Sequence, residues 1–127
     1  MGYEQDGQQI PAWTNIGGAF EHEEKHKGQA DYVLPASWKK VEASLTKSTP
    51  FNFVSTADII GGNSGSPVVN RAGELIGLIF DGNVQSLSGN YIYTDKQARS
   101  VSVHSSAIRE ALQTVYGADA IVKELGK

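Results

Sequence analysis

Cysteine is absent from the 127 residues, which excludes disulfides and thiolate metal sites without fixing the cellular compartment. No run approaches the ~20 apolar residues of a membrane-spanning helix, and the first residues lack the charged-then-apolar pattern of a signal peptide. Neither sign of charge dominates. Eleven basic and fourteen acidic side chains leave a net charge of −3, with no basic stripe or tail to neutralise phosphates, so nucleic-acid binding is not expected. At this length the chain reads as a single domain, able to bury roughly two-thirds of the surface its unfolded form exposes.

The informative stretch is Gly61-Gly62-Asn63-Ser64-Gly65-Ser66-Pro67, a serine flanked by small residues between two apolar segments. Glycine at 62 and 65 permits backbone angles that a β-carbon forbids, and Pro67 stiffens the exit into Val68-Val69. A turn this tight is able to aim the N–H groups of Gly62 and Ser64 at one point, which is what an oxyanion hole requires. The same residues also suit an ordinary Gly/Ser/Pro turn. After a hairpin turn at Asn70-Arg71-Ala72-Gly73 comes Gly77-Leu78-Ile79-Phe80-Asp81-Gly82-Asn83, so strand pairing makes the two motifs neighbours.

This layout resembles chymotrypsin-clan peptidases, in which a G-[DN]-S-G-x-P nucleophile turn precedes a hairpin and a G-x-x-x-x-G strand that pairs with bound peptide. A narrower likeness spans Phe51-Asn52-Phe53-Val54-Ser55-Thr56-Ala57-Asp58-Ile59-Ile60 through the serine turn to Phe80-Asp81-Gly82-Asn83. It is similar to the bacterial dipeptidyl-peptidase 7 and dipeptidyl-peptidase 11 family, from about Ile10 to the C-terminus. The resemblance implies a serine exopeptidase that removes dipeptides from free N-termini, periplasmic or at the cell surface or secreted, and a homodimer at full length. It implies a mainly β fold, a six-stranded chymotrypsin-like barrel equivalent to the second of two, with a C-terminal helix. Residues 1–50 would be an extension with a short helix, 51–103 the barrel core and 104–127 C-terminal helices.

Residue roles follow from the same likeness. Ser64 would attack the scissile carbonyl, with Asn63 beside it in the catalytic turn and the N–H groups of Gly62 and Ser64 stabilising the oxyanion. Asp81 would bind the substrate's free α-amino group, with Phe80, Gly82 and Asn83 completing the substrate-binding strand end. Where relatives selecting Asp or Glu at the second substrate residue carry arginine, this chain has Gly82, which implies an uncharged pocket for apolar or aromatic side chains. The family's catalytic histidine and aspartate belong to an N-terminal barrel that these residues do not match. The chain is therefore expected to be inactive alone, because a serine hydroxyl is a poor nucleophile without an adjacent base. No metal or organic cofactor is implied. The rival reading is a non-catalytic peptide-binding barrel, a pseudopeptidase module.

Three other features invite a functional reading. His22-Glu23-Glu24-Lys25-His26 fits the zinc motif H-E-x-x-H, but it sits in a wholly polar stretch with no third ligand following, so a match by composition is favoured over metal. His104 lies between a strand and a helix start, where a structural imidazole is the default rather than a general base. Asp58 precedes Ser64 by six residues, the spacing of the acid that selects basic side chains in trypsin-like enzymes; a loop-holding role for its carboxylate is preferred.

The local pattern also predicts elements. Ile10 to Phe20 reads as extended and then turned, Glu21 to Asp31 as a solvated loop or surface helix, and Pro35 to Leu45 as a short amphipathic helix carrying Trp38, Val41 and Leu45. Strands are expected at Phe51–Ser55, Glu74–Phe80 with both faces covered, Asn90–Thr94 and Arg99–Val103. A helix begins near Ser105 or Ser106 and stops at Gly117, and Asp119–Leu125 makes a last short one.

Overall fold

The computed structural model describes residues 2–91 and 94–126. Two compact units emerge from the chain path, Met1–Thr14 with Phe51–Ser105 and Asn15–Pro50 with Ser106–Lys127. No helix among the described residues is long and apolar enough to cross a membrane.

The first unit is β-structure. Strands β1 (Tyr3–Gln5) and β2 (Gln8–Ile10) form a hairpin closed by Asp6-Gly7, both at positive φ (51° and 76°), as a two-residue turn that matches strand twist demands. A five-stranded sheet follows, built from β3 (Trp13–Asn15), β4 (Pro50–Ser55), β5 (Pro67–Val69), β6 (Leu75–Gly82) and β7 (Ser100–His104) in the order β3-β4-β7-β6-β5. The β5–β6 turn is fastened by Asn70, whose Oδ1 accepts from the N–H groups of Ala72 and Glu74, while Gly73 takes the positive φ that closes it.

The mainly β expectation is met with a few helices added, yet no closed six-stranded barrel is found among the described residues. The sheet stays open between its edge strands β3 and β5. Part of the reason is that Val84–Asn90, leading into the expected strand at Asn90–Thr94, winds as a 3₁₀ segment. Ile92 and Tyr93 of that strand lie outside the described residues. Strand β6 is also not covered equally on both faces: Gly77 and Ile79 are buried, whereas the alternate residues Ile76 and Leu78 are only half-buried and Phe80 is 47% exposed. A half-open strand alternates inside and outside, as an antiparallel sheet with one free face does.

Gly77 is where the sheet is tightest. A β-carbon there would stand 2.3 Å from the carbonyl oxygen of Val103 and 2.6 Å from the Phe53 ring. Backbone cannot yield as a side-chain tip can, so Gly77→Ala is expected to lower stability by about 3 kcal/mol, at the severe end of overpacking. A urea midpoint within error of wild type would show that the close approach is not a constraint.

Ser100 and Ser102 of β7 are buried, Ser102 opposite Ile79 in the β6–β7 register. The Ser100 hydroxyl is satisfied by the hydroxyl of Ser55 at 2.7 Å and donates to the Ser55 carbonyl. Ser102 Oγ, fully buried, has no hydrogen-bond partner among the described residues. Removing a desolvated, unmatched hydroxyl relieves a penalty, so Ser102→Ala is expected to leave stability unchanged or raise it by up to about 1 kcal/mol. A clear fall in thermal midpoint would mean that the hydroxyl has a partner after all.

The second unit is helical. Helix α1 (Ile16–Lys25) begins where the sequence pattern suggested extended chain and a turn. Asn15 caps it, accepting from the Gly18 N–H at 2.8 Å, and the N–H groups of Ile16 and Gly17 donate to the carbonyls of Thr49 and Lys47. Gly17 admits this contact because a β-carbon would crowd Lys47 at 3.1 Å. Helix α2 (Ala36–Lys40) is shorter than predicted and continues as a 3₁₀ turn over Glu42–Ser44, delivering Leu45 to the core with Ile16 and Phe20. Helix α3 (Ser105–Glu110) widens into a π-helical turn over Ala111–Val115, and Gly117 at φ +60° ends it before α4 (Asp119–Leu125).

Candidate active site

Pairing of β5 with β6 reaches back into the serine turn. The Gly65 N–H donates to the Ile79 carbonyl at 2.7 Å, and the Ile79 N–H donates to the Ser66 carbonyl at 3.0 Å. Asn63 holds the other side: its Oδ1 accepts from the Ile60 N–H at 2.8 Å, its own N–H donates to the Ile60 carbonyl, and its carbonyl accepts from Ser66. Gly62 and Gly65 sit at φ +102° and +86°, which side chains with a β-carbon rarely adopt. The flanking N–H groups are thus spent on the fold. Those of Gly62 and Ser64 have no acceptor among the described residues, and neither does the Ser64 hydroxyl, which is exposed.

Ser64 opens into a depression of about 210 Å³ that also includes Asp81, Phe80, Gly82, Ile60 and Leu87. No histidine lines it among the described residues. A β-bulge shapes the strand side: Ile79 pairs with Ser102 but Asp81 with Val101, so Phe80 is the extra residue. Bulges re-aim side chains, and here both Phe80 and Asp81 are exposed to the depression. Asp81 Oδ1 accepts from the Gly82 N–H at 2.8 Å, and no cation pairs with this carboxylate among the described residues.

Asn83 fixes the end of β6. Its N–H donates to the Arg99 carbonyl at 2.9 Å, its Nδ2 donates to the Gln97 carbonyl at 2.8 Å, and its Oδ1 accepts from the Arg99 N–H at 2.8 Å. Arg99 is itself buried, its guanidinium donating to the carbonyls of Asp95, Ala98 and Gly2. The structure therefore brings Ser64, Asn63, Phe80, Asp81 and Gly82 around one depression, with Asn83 bracing the strand behind it.

Other candidates fall elsewhere. His104 lies opposite Gly77 in the β6–β7 register and meets the Phe53 ring edge-on, with centroids 5.7 Å apart. Asp58 is exposed and accepts no hydrogen bond among the described residues, so the expected loop-holding bonds are not seen; it borders a separate dimple with Arg99 and Ser100. The H-E-x-x-H match does lie on α1 as far as Lys25, but its imidazoles pack on aromatic neighbours: His26 stacks on Tyr32 at 4.1 Å, and His22 meets His26 at a tilt of 46° with centroids 4.3 Å apart. His26 Nδ1 lies 2.8 Å from the His22 carbonyl, and no group of three or more potential ligands to a metal gathers among the described residues.

Sequence reasoning missed Ser86, which lines the depression from the 3₁₀ segment after β6. Its one local signal is a position three residues beyond Asn83, where a serine is able to bond back to the chain.

Comparison with known proteins extends the picture. Residues 1–127 match the family model described as Peptidase S46. Dipeptidyl-peptidase 7 of Capnocytophaga gingivalis is 45% identical over 111 residues, taking in 80% of this chain and 16% of the relative. Dipeptidyl-peptidase 7 of Phocaeicola vulgatus is 33% identical over 128 residues, 94% of this chain and 18% of the relative. The crystal structure of Porphyromonas endodontalis DPP11 superposes with a TM-score of 0.87 at 28% identity, covering 98% of this chain and 19% of that one. The chain thus spans less than a fifth of the length of these relatives. The full-length match, the two sequence likenesses and the shared fold agree: the chain belongs to the peptidase S46 family.

Proposed function

We propose that this chain is the nucleophile-bearing portion of a serine-type dipeptidyl-peptidase that releases dipeptides from the free N-termini of peptides. The observation that carries the reading is one depression holding Ser64, whose hydroxyl and N–H have no partner among the described residues, and Asp81, whose carboxylate pairs with no cation among them; the N–H of Gly62, two positions before Ser64 though not in the depression's lining, is likewise without an acceptor there. Ser64 attacks the carbonyl after the second residue; the two N–H groups receive the oxyanion. Asp81 pairs with the substrate's ammonium and so sets the count at two residues. The names of the relatives, dipeptidyl-peptidase 7 and Asp/Glu-specific dipeptidyl-peptidase, support the reaction class.

On this reading the sheet belongs to the second, chymotrypsin-like barrel of the parent enzyme, with residues 1–50 and 104–127 flanking the 51–103 core. The general-base histidine and its aspartate come from the parent's other barrel, and the whole acts as a periplasmic or secreted homodimer. Gly82 places no charge at the second-residue pocket, and the exposed apolar side chains of Ile60, Phe80 and Leu87 around it favour apolar or aromatic residues there.

A fluorophosphonate probe read by intact mass tests the proposal. The full-length polypeptide is expected to take up one label, lost in Ser64→Ala, while this chain alone takes up none. Ser64-dependent labelling of the chain alone would place the base within these residues. No labelling of the full-length polypeptide would leave a non-catalytic peptide-binding barrel.

A further inference from the structure

Two depressions in the β-structured unit share part of their walls. The larger, about 210 Å³, holds Ser64 and Asp81; the smaller, about 20 Å³, holds Asp58, Arg99 and Ser100. Ile59 and Ser86 line both. Ser86 is held in place, because its N–H and its hydroxyl both donate to the Asn83 carbonyl, at 2.9 and 2.6 Å. Asn83 in turn is locked by its bonds to Gln97 and Arg99. The partition between the two spaces is therefore a fixed wall rather than a swinging one.

Gly82 shows what that wall occupies. A β-carbon at this position would stand 2.2 Å from Ser86 Oγ and 3.2 Å from Ser86 Cβ. The side chain that residue 82 lacks and the side chain that residue 86 has claim the same volume.

The geometry points to Ser86 as the residue that sets the depth of the pocket for the substrate's second side chain, acting jointly with Gly82. The inference rests on the dipeptidyl-peptidase reading above and adds to it a specificity-determining residue. With the hydroxymethyl group in place, the pocket stops at Ser86. Without it, the pocket runs on into the dimple beside Asp58 and Arg99, and a longer side chain fits. Enlarging residue 86 shortens the pocket instead.

The test uses the full-length polypeptide and fluorogenic dipeptide substrates that share a first residue and carry a linear second side chain of increasing length, from alanine through norvaline and norleucine to 2-aminooctanoic acid. The readout is the ratio of kcat/KM for the longest to the shortest substrate. Ser86→Gly is expected to raise this ratio about tenfold and Ser86→Thr to lower it about tenfold, the scale of a methylene or two in an apolar pocket. Because each ratio is taken within one preparation, partial loss of folded enzyme cancels. Gly82→Ala combined with Ser86→Gly refills the vacated volume from the other side and is expected to bring the ratio back toward wild type. Equal ratios in wild type, Ser86→Gly and Ser86→Thr would overturn the inference while leaving dipeptide release intact. A wild-type polypeptide that releases no dipeptide would overturn the underlying reading, and this one with it.

Discussion

Ser64→Ala is expected to lower kcat for dipeptide release by the full-length polypeptide at least about 10⁴-fold, since a nucleophile that acts as a unit with its base takes most of the acceleration with it. The substitution is well isolated. The turn is held by bonds from Asn63, Gly65 and Ser66, and Ser64 Oγ accepts or donates none among the described residues. Stability should therefore stay within about 0.5 kcal/mol of wild type, as for surface changes that break no special feature. KM is expected to change little, because the groove, the two N–H groups and Asp81 remain. The residual rate reports what the oxyanion donors and substrate positioning contribute without a nucleophile. Initial rates on a dipeptide substrate, with circular dichroism melts of both proteins, check the two halves together. A variant retaining more than a few per cent of the rate would move the chemistry to another residue.

The serine turn was legible because its information is local. Gly62 and Gly65 adopt the positive φ that their type foretold, and Asn70 to Gly73 closes the hairpin that sets Pro67 opposite Leu78. Strands β4 and β7 were legible for a similar reason, as short runs rich in β-branched and aromatic residues. The β1–β2 hairpin carries an equally local signal in Asp6-Gly7, but the polar residues Gln8 and Gln9 around it gave no alternation to frame a strand. Helix α1 was obscured by Gly17-Gly18, poor helix formers, of which Gly17 is required where the chain packs on Lys47.

What no local pattern reveals is where chain segments meet. The bulge at Phe80 arises from the β6–β7 register. The wall at Ser86 arises because a 3₁₀ segment folds back under Gly82. The open face of β6 depends on what covers it, and an apolar run such as Leu75 to Phe80 reads alike whether one face is buried or two. The candidate site divides along the same line. Its chemistry-bearing residues, Ser64 and Asp81, announce themselves in sequence, whereas the side chains that shape the space around them come from geometry.

Asp81→Asn tests the counting of two residues and is expected to lower kcat/KM for free-amine substrates of the full-length polypeptide by about 10²- to 10³-fold, the scale of losing a charged partner in a groove. The change is nearly isosteric. Asn Oδ1 is able to keep the bond that Asp81 Oδ1 accepts from the Gly82 N–H, so the loss measures charge rather than backbone geometry. An Nα-acetylated substrate supplies the complementary deletion. It should be poor for wild type, which finds no ammonium to pair, and lose little further in the variant, because the partner is already missing on one side of the cycle. The pH dependence has a definite sign. A peptide's α-amino group carries its proton below about pH 7.7–8.0, so wild-type kcat/KM should fall as pH rises through that range and the ammonium is lost. Asparagine does not favour the charged amine, so that falling limb should flatten in the variant. A carboxylate that merely braced the end of β6 would lower activity on free and acetylated substrates alike and leave the limb in place; that pattern would remove Asp81 from the substrate site.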